Sequence, residues 1–158
     1  MMRTFRHNQR YESLVDLLYG KPLKKANNQP IFATKRDLLC FAAVLGFDRE
    51  KKGPIETKAV EFVDSRPFEN SQEAMNLLYL IGLAVTKDVD ALREENEEKL
   101  VEIFEQYADG GLSILQEWLA ETPSDPHGDR AILEALKKHG YLSVTDEPAE
   151  DVVADVEF

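Results

Sequence analysis

Six glutamates crowd one stretch of this chain, Glu94, Glu95, Glu97, Glu98, Glu102 and Glu105. Carboxylates at that density are what acid–base or di-metal chemistry would use. Ferritin-like metal sites, however, combine such carboxylates with Glu-x-x-His motifs aimed between apolar faces, and no histidine accompanies these. The three histidines, His7, His127 and His139, are scattered, with no spacing that sets two on one helix face, so no metal site is expected. The glutamates read instead as a solvated helix face. No GxxxxGK[ST], GxGxxG or GxSxG motif occurs, which leaves nucleotide hydrolysis and serine-esterase chemistry without support. YADGG, residues 107–111, has the glycines of a phosphate loop, but two glycines after an amphipathic helix read first as a helix stop. The single cysteine, Cys40, lies in an apolar run and reads as a small buried hydrophobe, and Trp118 reads as a core anchor. No cofactor is implied.

The basic residues offer a second chemistry. Arg3, Arg6 and Arg10 precede the first expected helix, Lys21, Lys24 and Lys25 follow it, Lys35 and Arg36 open the next, and Arg49, Lys51 and Lys52 leave its end. If loops at the ends of neighbouring helices gather these residues on one surface, that surface suits a phosphate backbone and binds it with steep salt dependence. Equally, they serve solubility or pair with the acidic remainder of the chain. Residues 1–60 carry 12 Lys and Arg against 6 Asp and Glu, whereas residues 61–158 carry 7 against 24, within a net charge of −11. Such a division bears on association rather than on fold.

Positioning these groups falls to a series of helices. Tyr11, Leu14, Val15, Leu17 and Leu18 predict a helix over Gln9–Tyr19 stopped by Gly20, followed by a loop, KPLKKANNQP. Thr34 and Asp37 form a capping box for a helix that is apolar nearly all round, with Gly46 as its C-cap. DREKKGP reads as a charged turn, and residues 55–63 as a short strand or extended segment. Ser71 caps a helix running from Gln72 to about Val85. The next spans about Val89–Ala108, with Leu92, Leu100, Ile103, Phe104 and Tyr107 inward and Gly110-Gly111 as its stop. Leu112–Ala120 then forms a short helix, and Arg130–His139 the last, capped by Asp129 and ended by Gly140.

With 158 residues, 43% of them hydrophobic and 31% charged, the chain suits one soluble domain with a real core. No apolar run approaches the roughly 18 residues of a spanning helix, and MMRTFRHNQRYESL lacks the apolar region of a signal peptide, so a cytoplasmic protein without membrane contact is expected. The expected fold is mainly α: one compact helical domain of about six helices over residues 1–142, with one short strand or extended segment near 55–63. Residues 143–158, SVTDEPAEDVVADVEF, hold six acidic residues and no basic ones and read as an acidic, flexible tail.

Three segments taken in order, IFATKRDLLCFAAVLGFDREKKGPI, NLLYLIGLAVTKDVDAL and EEKLVEIFEQYADGGLSILQEWL, resemble the DNA phosphorothioation-associated protein 4 family, also called dnd system-associated protein 4. F-x-T-K-[RK]-D…F-A-A-x-L-G-F and IFE-x-YA-x-GGL are its most specific pieces, and the likeness spans roughly Tyr11–Leu136. The resemblance implies a small bacterial protein tied to sulphur modification of the DNA backbone and the linked restriction or antiviral defence, with other proteins of that system as partners. It carries no catalytic residues onto this chain. The leading expectation is a non-enzymatic accessory component that acts through protein contacts, with the eleven basic residues named above as the candidates for contacting DNA. The rival is an acidic adaptor or regulator that binds a larger defence protein and does not touch DNA. A hydrolase with an unrecognised site ranks third, and the oligomeric state is open.

Overall fold

Two helices that touch backbone to backbone set the architecture. The computed structural model describes residues 2–20, 31–125 and 128–143. The loop carrying Lys21, Lys24 and Lys25, together with His127 and residues 144–158 of the expected tail, lies outside the described residues. Helix α2 (Lys35–Asp48) opens as expected, the Thr34 hydroxyl accepting from the Asp37 N–H at 3.1 Å. It does not stop at Gly46 but runs on to Asp48. Likewise Gly110 and Gly111 end nothing, because α5 is one helix of 24 residues, Glu97–Ala120.

The physical reason for both corrections is the crossing of α2 and α5. A Cβ on Gly111 would lie 1.8 Å from the Ala42 carbonyl oxygen, one on Gly46 1.9 Å from that of Tyr107, and one on Gly110 1.9 Å from that of Lys51. Glycine inside a helix costs about 1 kcal/mol relative to alanine, but here its missing side chain is what lets the two backbones meet. Local stop signals lose to that tertiary contact.

The chain enters through β1 (Phe5–His7), which pairs antiparallel with β2 (Val60–Val63) in the register Phe5↔Val63, Arg6↔Glu61 and His7↔Val60. Strand β2 fulfils the extended segment expected near 55–63. Strand β1 was not foreseen, being too short at three residues to show alternation. Residues 9–20 form one continuous helical stretch: a 3-10 turn Gln9–Tyr11, α1 (Glu12–Val15) and a π turn Asp16–Gly20.

After β2 comes α3 (Ser65–Glu69), also unforeseen, whose Pro67 is tolerated because it sits in the first turn. Helix α4 (Gln72–Thr86) matches expectation, the Ser71 hydroxyl accepting from the Ala74 N–H at 3.2 Å. The helix expected from Val89 begins only at Glu97. Before it, the Asp88 carboxylate accepts from Asp90 N–H at 3.0 Å and the Asn96 amide donates to Asp90 O at 2.8 Å, holding residues 89–96 as two 3-10 turns. Helix α6 (Asp129–Lys138) is capped by Gly128, not Asp129, and the Asp125 carboxylate accepts from Ala131 N–H at 2.9 Å. Gly140, at φ 83°, closes it as expected.

The fold is therefore mainly α, with six α-helices and one small two-stranded sheet among the described residues. Helix α5 is its axis, burying Leu100, Val101, Phe104, Leu112, Leu115 and Trp118. Phe5, Phe68 and Phe104, all at 0% exposure, form an aromatic triad with centroids 4.3–5.9 Å apart. Burial of such side chains contributes about 2–3 kcal/mol each. Cys40 is half-buried rather than fully buried. Among the described residues no helix is long and apolar enough to cross a membrane.

Candidate functional site

Glu105, expected on the solvated face of α5, is 1% exposed. Because the helix continues through Gly110, Glu105 shares a face with Val101, Ala108 and Leu112, all buried. Its carboxylate is satisfied by the N-terminal arm. Arg3 donates from Nη1 to Oε2 at 2.8 Å and from Nη2 to Oε1 at 2.7 Å, a bidentate pair, and the Arg6 backbone N–H donates to Oε2 at 2.6 Å. The Arg6 Nε is 3.9 Å from the same oxygen and, although buried, has no hydrogen-bond partner.

One turn along, Asp109 is 4% exposed. Asn8 Nδ2 donates to its Oδ1 at 2.7 Å and to Pro54 O at 2.8 Å, while Asn8 Oδ1 accepts from Glu56 N–H at 2.7 Å. Arg10 reaches Asp109 Oδ2 at 3.6 Å and Glu56 Oε1 at 3.1 Å. A Cβ on Gly53 would collide with the Asp109 carboxylate at 2.0 Å, so a glycine is needed where the 53–56 segment passes over α5. Two polar clusters one turn apart thus hold the structure here, Glu105 tying the arm to α5 and Asp109 with Asn8 tying arm, helix and segment together. A helix ending at Ala108 leaves Asp109 outside it and hides the apolar continuation, Leu112, that marks the face on which Glu105 lies. Carried on through Gly110 and Gly111, the i,i+4 spacing of Glu105 and Asp109 beside Val101 and Leu112 marks two acids on an apolar face.

The titration of these groups follows from their surroundings. The hydrogen bonds to Glu105 raise the Arg3 guanidinium above its ordinary value. Burial raises the Asp109 carboxyl, with Asn8 and Arg10 opposing it. Burial lowers His7, which lies edge-on to the Phe62 ring with its Nδ1 2.8 Å from Asn8 O. Burial also pushes the Cys40 thiol up to about 12, so it is a poor nucleophile.

Of the other basic residues, Lys35 sits over the Tyr19 ring at 5.5 Å and Arg36 Nη1 donates to Pro67 O at 2.9 Å, both at the start of α2. At its far end Arg49 occupies the C-cap, Lys51 pairs with Glu117 at 3.4 Å and Lys52 lies over the Tyr107 ring at 5.9 Å. The two ends are separated by the helix, about 20 Å. The eight described candidates therefore form three groups: Arg3, Arg6 and Arg10 beside the buried acids of α5, and one group at each end of α2. YADGG is buried helix rather than an open phosphate loop. Among the described residues no three His, Cys, Asp or Glu side chains are grouped to hold a metal. A cavity of about 480 Å³ between α4 and α5, lined by Val85, Thr86, Asp88, Ala91, Asn96, Lys99, Leu100 and Ile103, contains neither buried acid.

A family model described as DNA sulphur modification system-associated protein 4 matches residues 5–151. No curated protein and no solved structure matches the chain.

Proposed function

The chain belongs to the DNA sulphur modification system-associated protein 4 family, and from that premise we propose that it is a non-enzymatic accessory component of such a system, acting through contacts with the system's other proteins. The observation that carries this reading is the bidentate Arg3–Glu105 pair. It turns Arg3 toward the chain's own acids, with Arg6 and Arg10 beside the same buried carboxylates, so part of the positive charge of the N-terminal third is answered internally. The buried carboxylates that would otherwise suggest chemistry, Glu105 and Asp109, are engaged in holding the arm. This favours the adaptor over the DNA-contacting component. Among the described candidates, contact with a DNA backbone then falls to Lys35 and Arg36 or to Arg49, Lys51 and Lys52.

A gel shift with sulphur-modified and unmodified duplex, titrated in salt, tests the division. The reading expects no shift at about 150 mM salt with either duplex, because too few phosphates are neutralised. A tight shift there, weakened by substituting the α2 lysines, would move the function onto DNA.

A further inference from the structure

Helix α4 turns Ala74, Leu78, Ile81 and Gly82 to the core and leaves an apolar stripe uncovered on its opposite face. Leu80 stands at the centre of that stripe at 62% exposure, with Leu77 and Leu83 half-buried on its two sides and Ala84 exposed. Glu73 and Lys87, both exposed, lie seven residues before and seven after Leu80, and seven residues of α-helix return to within about 20° of the same direction. Lys87 is the C-cap and still closes the last helical bond, its N–H donating to Leu83 O at 2.7 Å. An acid, a leucine and a base therefore share one line down the helix, with the two charges about 21 Å apart. Neither charge is bonded to another described residue.

We propose that this face of α4 is a contact between two copies of the chain, their α4 helices packed antiparallel about a two-fold axis at Leu80. A two-fold contact demands a surface complementary to itself, and this line meets the demand in one direction only. Antiparallel, Glu73 of each copy meets Lys87 of the other; parallel, Glu73 would face Glu73 and Lys87 would face Lys87. At the axis Leu80 packs on Leu80, and on one flank Leu77 meets Ala84 of the second copy, large against small. Asp88, the next acid, is turned aside, its carboxylate accepting from Asp90 N–H at 3.0 Å. A foreign helix would give no reason for acid and base to stand at equal distances from one leucine. The net charge of −11 opposes self-association at long range, but at physiological salt that repulsion is screened beyond roughly 8 Å, which leaves the contact charges to decide. One pair of helices of about four turns falls at the small end of specific interfaces, so the dimer is weak, with a dissociation constant on the order of 10–100 µM. The inference does not depend on the function proposed above.

Carbodiimide coupling of an equal mixture of heavy- and light-isotope full-length protein, read by peptide mass spectrometry, tests it. A Glu73–Lys87 link cannot form within one chain, because about 21 Å of helix separates the two, and the Lys51–Glu117 pair at 3.4 Å supplies the control for coupling within a chain. At about 100 µM protein the Glu73–Lys87 link should form, about half of it joining heavy to light chains, and should exceed links from Glu73 to the exposed Lys58 and Lys99 about five-fold. In sedimentation equilibrium, Glu73→Lys and Lys87→Glu should each weaken the dimer about ten-fold, since each sets two like-charge pairs across the contact. An equal mixture of the two variants should restore it, because every pair is then again of opposite charge. Leu80→Glu should leave the chain monomeric with its helical circular dichroism unchanged. A chain that stays monomeric at about 500 µM would overturn the proposal. So would a dimer that Leu80→Glu leaves intact, which must lie on another face, or a mixture that fails to recover what the single charge variants lost, which cannot be antiparallel about Leu80.

Discussion

Truncating Arg3 to alanine should destabilise the protein by about 3 kcal/mol, near the lower end of the range for breaking a buried ion pair. Glu105 has a side chain with 0% exposure, while that of Arg3 is 29% exposed. After Arg3→Ala the buried carboxylate keeps only the Arg6 N–H at 2.6 Å, with Arg6 Nε too far away at 3.9 Å. Some water enters where the guanidinium stood, which is why the upper end of the range is not expected. Glu105→Gln preserves volume but sets its amide nitrogen against a donor whichever way it turns, because Arg3 occupies both oxygens. That costs about 2 kcal/mol. The double variant should lose about 3 kcal/mol rather than 5, a coupling of about 2 kcal/mol. Urea unfolding followed by helical circular dichroism measures all three, and for a chain of this size 3 kcal/mol lowers Tm by about 6–12 °C. A pair this buried is poorly screened, so the loss should persist at 500 mM salt. An Arg3→Ala loss below about 0.5 kcal/mol, or one that vanishes in salt, would refute the reasoning and return the arm to the surface.

Gly111→Ala should cost at least about 3 kcal/mol by forcing α2 and α5 apart, since its Cβ would lie 1.8 Å from the Ala42 oxygen. Gly140→Ala, with nothing within 4 Å but φ at 83°, should cost only about 1 kcal/mol of backbone strain, and thermal melts of the two separate the causes. Thr34→Ala removes the bond to Asp37 N–H and should lower stability by about 1 kcal/mol in the same assay. Asp109, raised by burial, keeps its proton in the fold at pH values where the unfolded chain has lost it. The contribution of Asp109 to stability should therefore rise as pH falls through the window just above the ordinary carboxylate range, and Asp109→Asn, which still accepts from Asn8, should remove that contribution from the stability–pH curve. His7 is lowered by burial, so its contribution is complete above about pH 6.5 and declines as pH falls below it; His7→Phe should flatten that limb of the stability–pH curve.

Helix caps were legible because a cap is a local device: Thr34 and Ser71 accept the N–H groups that their spacing implies. The glycines were misread for the complementary reason. Whether Gly46 or Gly110-Gly111 stops a helix or admits a neighbour depends on a second segment far away in sequence, and both segments lie in the stretches that carry the family likeness. Glu105 lay inside the expected helix but was grouped with its solvated glutamates, because the partner that buries it, Arg3, is 102 residues away. The short strand β1 carries too few residues for a period-2 signal, although β2, expected as extended, needed a partner. Of the basic residues, their positions at helix ends could be read, but whether they face one another could not; the structure divides the described ones between the arm and the two ends of α2.

Purification of the tagged chain from its native cells with exhaustive nuclease treatment tests the central claim most directly. The account predicts a stoichiometric complex with another protein of the DNA sulphur modification system that survives both nuclease and 300 mM salt. Recovery of the chain alone after nuclease, with its companions lost along with the nucleic acid, would contradict it.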